Sequence, residues 1–268
     1  MFLADLHTHS NFSDGAMSIP GLVDFYGQRG FGAIAITDHV CEDRGFFGKA
    51  AKYLELTLTR SNFPLYLETI RREAERAWRD YRMVVIPGVE ISKNSFSNHR
   101  SAHLLGLGLT NFVDADNDIV EIARAIRAQG ALCVAAHPVS TRKLERQTYH
   151  LWHRREELAS EIDAWEVASG PHLFDEVLSS GLPLLASSDL HKSSQINAWK
   201  TVFQCERNAD AILQAIRDQD VTFQFYLEEG FNHFTSAASS WFARLNPSYR
   251  ALAQRNLLGP HACLKGLR

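Results

Sequence analysis

The chain of 268 residues has only four cysteines, Cys41, Cys133, Cys205 and Cys263, and no two of them form a CxxC pair. That spacing excludes a thiolate zinc site and a disulfide framework, and it predicts reduced thiols in a cytoplasmic protein. No apolar run approaches the roughly eighteen residues that a membrane span needs. The start, MFLADLHTHS, lacks the basic residues of a secretory leader, so none is expected. Charge of one sign is also missing. Lys and Arg total 28 against 31 Asp and Glu, and the net charge of −3 gives no global attraction to nucleic acid or an anionic membrane. Repeats and low-complexity tracts are absent. The composition, 45% hydrophobic and 22% charged, is that of a globular protein and too apolar for a disordered one. Against these absences stand twelve histidines.

Short apolar runs alternate with helical patterns along most of the chain. Strands are predicted over 2–6, 33–37, 83–87, 102–109, 132–136, 162–167, 184–186 and 202–205. A helix over 19–28 has Ser18 as its cap, Pro20 in its first turn and Gly30 as its stop. Helical periodicity also marks 65–80, 118–128 and 208–219. Strand alternating with helix predicts a parallel sheet, closed into a barrel or wound on both faces. Residues 41–82 are longer than one crossover helix requires and read as a helical insertion near the barrel mouth. The barrel is expected over 1–229, with 230–268 a C-terminal extension, helical in part, packed upon it.

The ionisable residues gather at strand ends. The first strand runs into Asp5-Leu6-His7-Thr8-His9, where Asp5, His7 and His9 share a face because residues two apart in extended chain point the same way. A turn at Ser13-Asp14-Gly15 follows and can bring Asp14 over that face. Later strands run into Thr37-Asp38-His39, Gly88-Val89-Glu90, Ala136-His137-Pro138 and Ser188-Asp189-Leu190-His191, and another contains His103. Parallel barrel strands present their C-terminal ends at one rim. So many imidazoles and carboxylates brought together would desolvate and repel one another unless divalent ions sat among them. Imidazole with carboxylate and no thiolate suits zinc, manganese or iron.

These motifs, all in order, resemble those of the polymerase and histidinol phosphatase family, the PHP domain, over residues 1 to about 225. The resemblance implies an α/β fold, a distorted (β/α)7 TIM-like barrel of the PHP type. It also implies two or three divalent metal ions. One would be held by His7, His9, Glu90 and Asp189. A second would share Glu90 with His103 and His137, and a third would take Asp14, His39 and His191. His99 lies four residues before His103 and competes with it as the ligand. Asp14 stands where some members of the family have histidine.

The resemblance further implies a phosphoesterase, and the residues support that independently. Metal-activated hydroxide with polarised phosphoryl oxygens would hydrolyse a small phosphomonoester, such as histidinol phosphate or a nucleotide. His39 or His191 would carry the proton, with Asp189 at the reacting centre. Phosphate binders are sought among Arg142 and Lys143, then Arg100 and Lys192. Trp152 is expected to pack, and His150, His172, His233 and His261 to be structural or surface residues. The PHP domain also occurs in DNA polymerases, which makes a nuclease the alternative. A metal-bound regulatory module without catalysis is the third reading. The expected partner is a small phosphorylated molecule, with no membrane and no reason in the charge balance for nucleic acid.

Overall fold

The computed structural model describes residues 1–42, 54, 56–94, 101–139 and 149–228. In chain order the elements are β1 (Phe2–Asp5), α1 (Ile19–Gly27), β2 (Ala33–Ile36), β3 (His39–Cys41), α2 (Phe63–Tyr81) and β4 (Val84–Lys93). Next come β5 (Ala102–Leu107), α3 (Ile119–Arg127), β6 (Leu132–Ala135), α4 (Tyr149–His153), α5 (Arg155–Leu158) and β7 (Ala164–Ser169). The last are β8 (His172–Leu173), α6 (Asp175–Leu178), β9 (Leu184–Ser187), β10 (Ala198–Phe203), α7 (Ala209–Arg217) and β11 (Val221–Tyr226). No helix among the described residues is long and apolar enough to cross a membrane.

Local chemistry sets the helix starts. Ser18 accepts from the Gly21 N–H at the head of α1, where Pro20 occupies the first turn. Asp118 and Glu121 form a reciprocal capping box on α3, and Asn208 accepts from Ala211 N–H on α7. In α2 the buried residues Phe63, Tyr66, Ile70 and Ala77 recur at helical spacing. That stripe packs on β4 and α1, so α2 is itself the crossover between β2 and β4. The expected insertion at 41–82 therefore narrows to the segment before α2, much of which lies outside the described residues. The expected extension, 230–268, lies wholly outside them.

One sheet runs in the order β11-β10-β1-β2-β4-β5-β6-β7-β8, with β3 also on β4 and β9 on β7. The β1–β2, β2–β4, β6–β7 and β7–β9 pairs are parallel, as expected. The wholly parallel sheet is corrected at β5, which runs antiparallel to both β4 and β6. Only residues 94–101 separate it from β4, too few for a crossover helix, so the chain must turn straight back. The expected strand at 202–205 begins earlier, at Ala198, and pairs antiparallel with both β1 and β11.

The sheet also curls on itself. β9 is hydrogen-bonded to β7, yet just beyond it Leu190 meets Thr8 in a parallel bridge. There His9 N–H donates to Leu190 O at 2.8 Å and Leu190 N–H to His7 O at 3.2 Å. This curled mixed α/β sheet is the distorted TIM-like barrel that the sequence predicts. Alternate residues of β2 divide the core. Ile34 and Ile36 join Leu22, Tyr26 and Ile70 in one apolar layer, while Ala33 and Ala35 join Leu105, Ile212 and Ile216 in the other.

A buried polar cluster ties the bottom of the site to the frame. Lys200 Nζ is paired with Asp5 Oδ2, both side chains fully buried, and Tyr26 OH donates to the same oxygen at 2.6 Å. Ser188 N–H donates to Asp5 Oδ1 at 3.0 Å and its hydroxyl to Oδ2 at 2.5 Å. Breaking such a pair strands one charge away from water. Lys200→Met is expected to lower unfolding stability by about 3–5 kcal/mol in urea titrations. Asp5→Asn added to it should recover part of that loss, because the orphaned carboxylate is removed.

Candidate metal centre

The first strand does not stop at Asp5 in function, because Thr8 stitches its continuation to β2. Thr8 N–H donates to Thr37 Oγ1 at 3.1 Å, and its hydroxyl donates to Ala35 O at 2.7 Å. Thr37 N–H returns a bond to Thr8 O at 2.8 Å. With the middle residue turned to β2, His7 and His9 on either side of it converge on the opposite direction.

The turn that follows is held by Asp38. Its carboxylate accepts from the Ser10 N–H and hydroxyl at 2.9 and 2.7 Å, and from the Ser13 hydroxyl at 2.6 Å. Asp38, beside the histidine of its motif, thus shapes the loop that carries Asp14. Burial raises its pKa against the pull of these serine donors. The turn folds back so tightly that a Cβ at Gly15 would stand 2.1 Å from the His9 carbonyl oxygen.

Nine residues named from the sequence come together in three overlapping groups: His7, His9, Glu90 and Asp189; Glu90, His103 and His137; and His9, Asp14, His39 and His191. In the first, His7 Nε2 lies 3.3 Å from both Glu90 Oε2 and Asp189 Oδ1. His9 Nε2 lies 3.4 and 3.2 Å from the same two oxygens. These four atoms are buried and none makes a hydrogen bond. Orphaned polar atoms of this kind are costly, and here they all point at one another. Four donors bonded tetrahedrally to one ion at about 2.0–2.1 Å would stand roughly 3.3–3.4 Å apart. The observed separations match that spacing, so donor chemistry and geometry both fit a divalent ion.

In the second group Glu90 Oε1 lies 2.8 Å from His103 Nδ1 and 3.1 Å from His137 Nε2. His103 reaches the rim because β5 runs antiparallel, so its beginning stands beside the ends of β4 and β6. Its rival His99 lies outside the described residues. In the third group Asp14 Oδ1 is 3.3 Å from His191 Nε2, 3.5 Å from His39 Nε2 and 3.9 Å from His9 Nδ1. His39 also faces the first group, with Nδ1 3.0 Å from Glu90 Oε2. His9 was expected in one group and borders two.

The electrostatics follow from this crowding. Burial opposes charge on His7, yet Glu166, Asp189 and Glu90 raise its pKa well above the usual histidine value. His39 is raised likewise, with burial overcome by Glu90 and Asp14. His9 goes the other way, to about 3, because burial and the neighbouring His39 and His191 disfavour its cation. Burial works against the charge of Glu90, but His103, His7 and His39 hold its pKa well below the carboxylate range. Asp189 is lowered against burial by His7 and His9, and Asp14 by His191 and His39.

Two of these residues also sit on unusual backbone. His137 has φ 27° and Asp189 φ 54°, the left-handed region that side chains other than glycine rarely adopt. Such strain persists where the surroundings impose it. The sequence did not point to Glu166, fully buried on β7 between Trp165 and Val167. Its signal was available, as one acid inside an otherwise apolar strand.

A cleft of about 490 Å³ opens beside the groups. His39, Glu90, His103, His137, Asp189 and His191 line it from the side of the three groups. Asn94, His172, Phe174, Ser194, Gln195 and Asn197 are among those that line the rest. His172, expected to be structural or surface, is therefore at the cleft. Lys192 is exposed and is not among the lining residues, while Arg100, Arg142 and Lys143 lie outside the described residues. Trp152 packs edge-on against Trp165, as expected.

Over residues 5–161 the sequence matches the PHP domain family. Among solved structures the chain is similar to a two-domain protein from Bacteroides vulgatus ATCC 8482 containing a predicted PHP-like metal-dependent phosphoesterase. Identity is 20% and the TM-score 0.60, over 84% of this chain and 65% of that one, so the likeness is one of fold and spans just under two thirds of that protein. An amidohydrolase from Chromobacterium violaceum with bound SO4 and no metal overlaps 70% of this chain and 87% of its own, at 18% identity and a TM-score of 0.41. No curated protein matches the chain.

The tight turn under Asp14 can be probed directly. Gly15→Ala is expected to cost about 1–3 kcal/mol of stability in denaturant unfolding, since the methyl must push the His9 carbonyl aside.

Proposed function

Because the chain belongs to the PHP domain family, we propose that it is a metal-dependent phosphoesterase acting on a small phosphomonoester. The observation that carries this reading is the set of four buried, unbonded donor atoms on His7, His9, Glu90 and Asp189 at tetrahedral spacing. We assign these four to one divalent ion. Glu90, His103 and His137 would hold a second, and Asp14, His39 and His191 a third. Zinc, manganese and iron all suit this donor set. When bound, such ions supply a hydroxide nucleophile near neutral pH and polarise phosphoryl oxygens.

The chain's own groups do the remainder. A cleft of about 490 Å³ is of the size that takes a small molecule. His39 and His191 both line it, and whichever of them is not held by an ion could hand a proton to the leaving oxygen. Asp189 faces the cleft from the first group, with its acidity fixed by His7 and His9. Asn94, Gln195 and Asn197 offer neutral polar contacts to the leaving group. Arg142 and Lys143, in the basic run that follows His137-Pro138, and then Arg100 and Lys192, are our proposed phosphate binders. The reading implies a cytoplasmic enzyme with a small phosphorylated substrate.

Metal-loaded protein tested against phosphomonoesters, phosphodiesters and oligonucleotides should release phosphate from a monoester. Activity confined to diesters or oligonucleotides would make it a nuclease, and silence on all of them at confirmed metal content would leave a regulatory module. His7→Ala, Glu90→Gln and Asp189→Asn should each reduce turnover by about 10³-fold or more, some 4 kcal/mol of barrier. Full activity in all three would refute the assignment.

Metal uptake should also depend on pH. With the His7 and His39 pKa values raised well above the usual 6.5, both imidazoles carry protons near neutrality in metal-free protein. Those protons must leave, so affinity should strengthen as pH rises from 6 to 8. Calorimetry in buffers of different ionisation heat should show proton release.

A further inference from the structure

Glu166 is fully buried, and the donors it meets belong to two of the groups above. Its Oε1 lies 3.0 Å from His7 Nδ1. Its Oε2 accepts from the His137 backbone N–H at 2.7 Å. Glu166 lies beyond residues 5–161, the stretch that matches the family.

Two features of β7 deliver the side chain there. The β6–β7 ladder ends at Ala135 opposite Trp165, so the His137 N–H has left the ladder and is met by the Glu166 carboxylate instead. On the other side of β7, the pairing with β9 shifts register between Glu166 and Ala168. Irregularities of this kind re-aim a strand residue beside a site. His137 needs such an anchor, because its φ of 27° lies in the left-handed region.

We propose that Glu166 is a positioning residue that sets His7 and His137 together for metal binding, linking the first group to the second. This rests on the metal-dependent reading of the site. Two N–H donors converge on one side chain, so that side chain must accept at both ends. The two oxygens of a carboxylate do so; an amide cannot, because its NH₂ would face one of the donors. With its Nδ1–H given to Glu166, the neutral His7 ring would turn its Nε2 lone pair, beside the Glu90 and Asp189 oxygens, toward a bound ion. Carboxylates behind ligating histidines fix tautomer and ring angle in this way. Through its other oxygen Glu166 holds the strained His137 backbone, and so the reach of that ring toward Glu90.

The test compares Zn²⁺ affinity by chelator competition, and the visible spectrum of the Co²⁺-loaded protein, in wild type, Glu166→Gln, Glu166→Asp and Trp165→Phe. Glu166→Gln should weaken the tightest sites by about 10–100-fold and alter the Co²⁺ bands. Glu166→Asp, with both acceptor oxygens on a shorter arm, should fall between it and wild type. Trp165→Phe, a buried neighbour facing away, should lower thermal stability without moving affinity or spectrum. Wild-type affinity and spectrum in both Glu166 variants would overturn the proposal while leaving the metal site standing. The same holds if Trp165→Phe shifts the metal readouts as much as Glu166→Gln. Wild-type protein that takes up no Zn²⁺ or Co²⁺ would overturn both readings together.

Discussion

The structure depends on one electrostatic constraint: carboxylate oxygens and imidazole nitrogens lie buried within about 3.3 Å of one another with no hydrogen bonds between several of them. In a protein interior that arrangement is tolerable only if opposite charges offset one another closely. The metal-free chain manages part of this by protonation, with His7 and His39 raised and Glu90, Asp189 and Asp14 lowered. His9, pushed down to about 3, stays neutral and has neither ring nitrogen hydrogen-bonded. A cluster of buried donors, several with no hydrogen-bond partner, suggests a site for metal cations.

Around this centre the frame is built to resist rearrangement. Four of the segments that carry the clustered donors are pinned by a residue outside the three groups. Thr8 is stitched to β2, Asp38 gathers Ser10 and Ser13, Asp5 holds Ser188 beneath Asp189, and Glu166 holds the His137 amide. Left-handed backbone at His137 and Asp189 shows that local preference gives way to these contacts. The parallel bridge between Thr8 and Leu190 brings the segments of His7 and His9 and of Asp189 and His191 side by side, though they lie far apart in the sequence.

Much of the frame was legible beforehand because its signals are local. Ser18 and Pro20 marked the start of α1, and the periods of α2, α3 and α7 emerged from their apolar spacing. Histidines and acids at the ends of apolar runs pointed to a shared rim. The direction of β5 was overlooked, although the short link from Lys93 to Ala102 carried it. β11, an alternating Val-Thr-Phe-Gln-Phe-Tyr run, was overlooked as well. Glu166 and Lys200 were not singled out, because a lone charge in an apolar strand reads as a boundary or an exposed face until its partner is known. For Lys200 that partner, Asp5, lies 195 residues away.

The sequence by itself determined which residue types stand at strand ends, how His7 and His9 share a face, and the family to which the chain belongs. These follow from spacing along the backbone, which two-residue alternation and short motifs preserve. Only the tertiary structure decided how closely the donors of each group approach, that His9 as well as Glu90 borders two groups, and that Glu166 stands behind His7 and His137. Those relations depend on strand register, curl and direction, set by contacts between residues far apart in the chain. Spacing names the donors, but packing decides which of them meet.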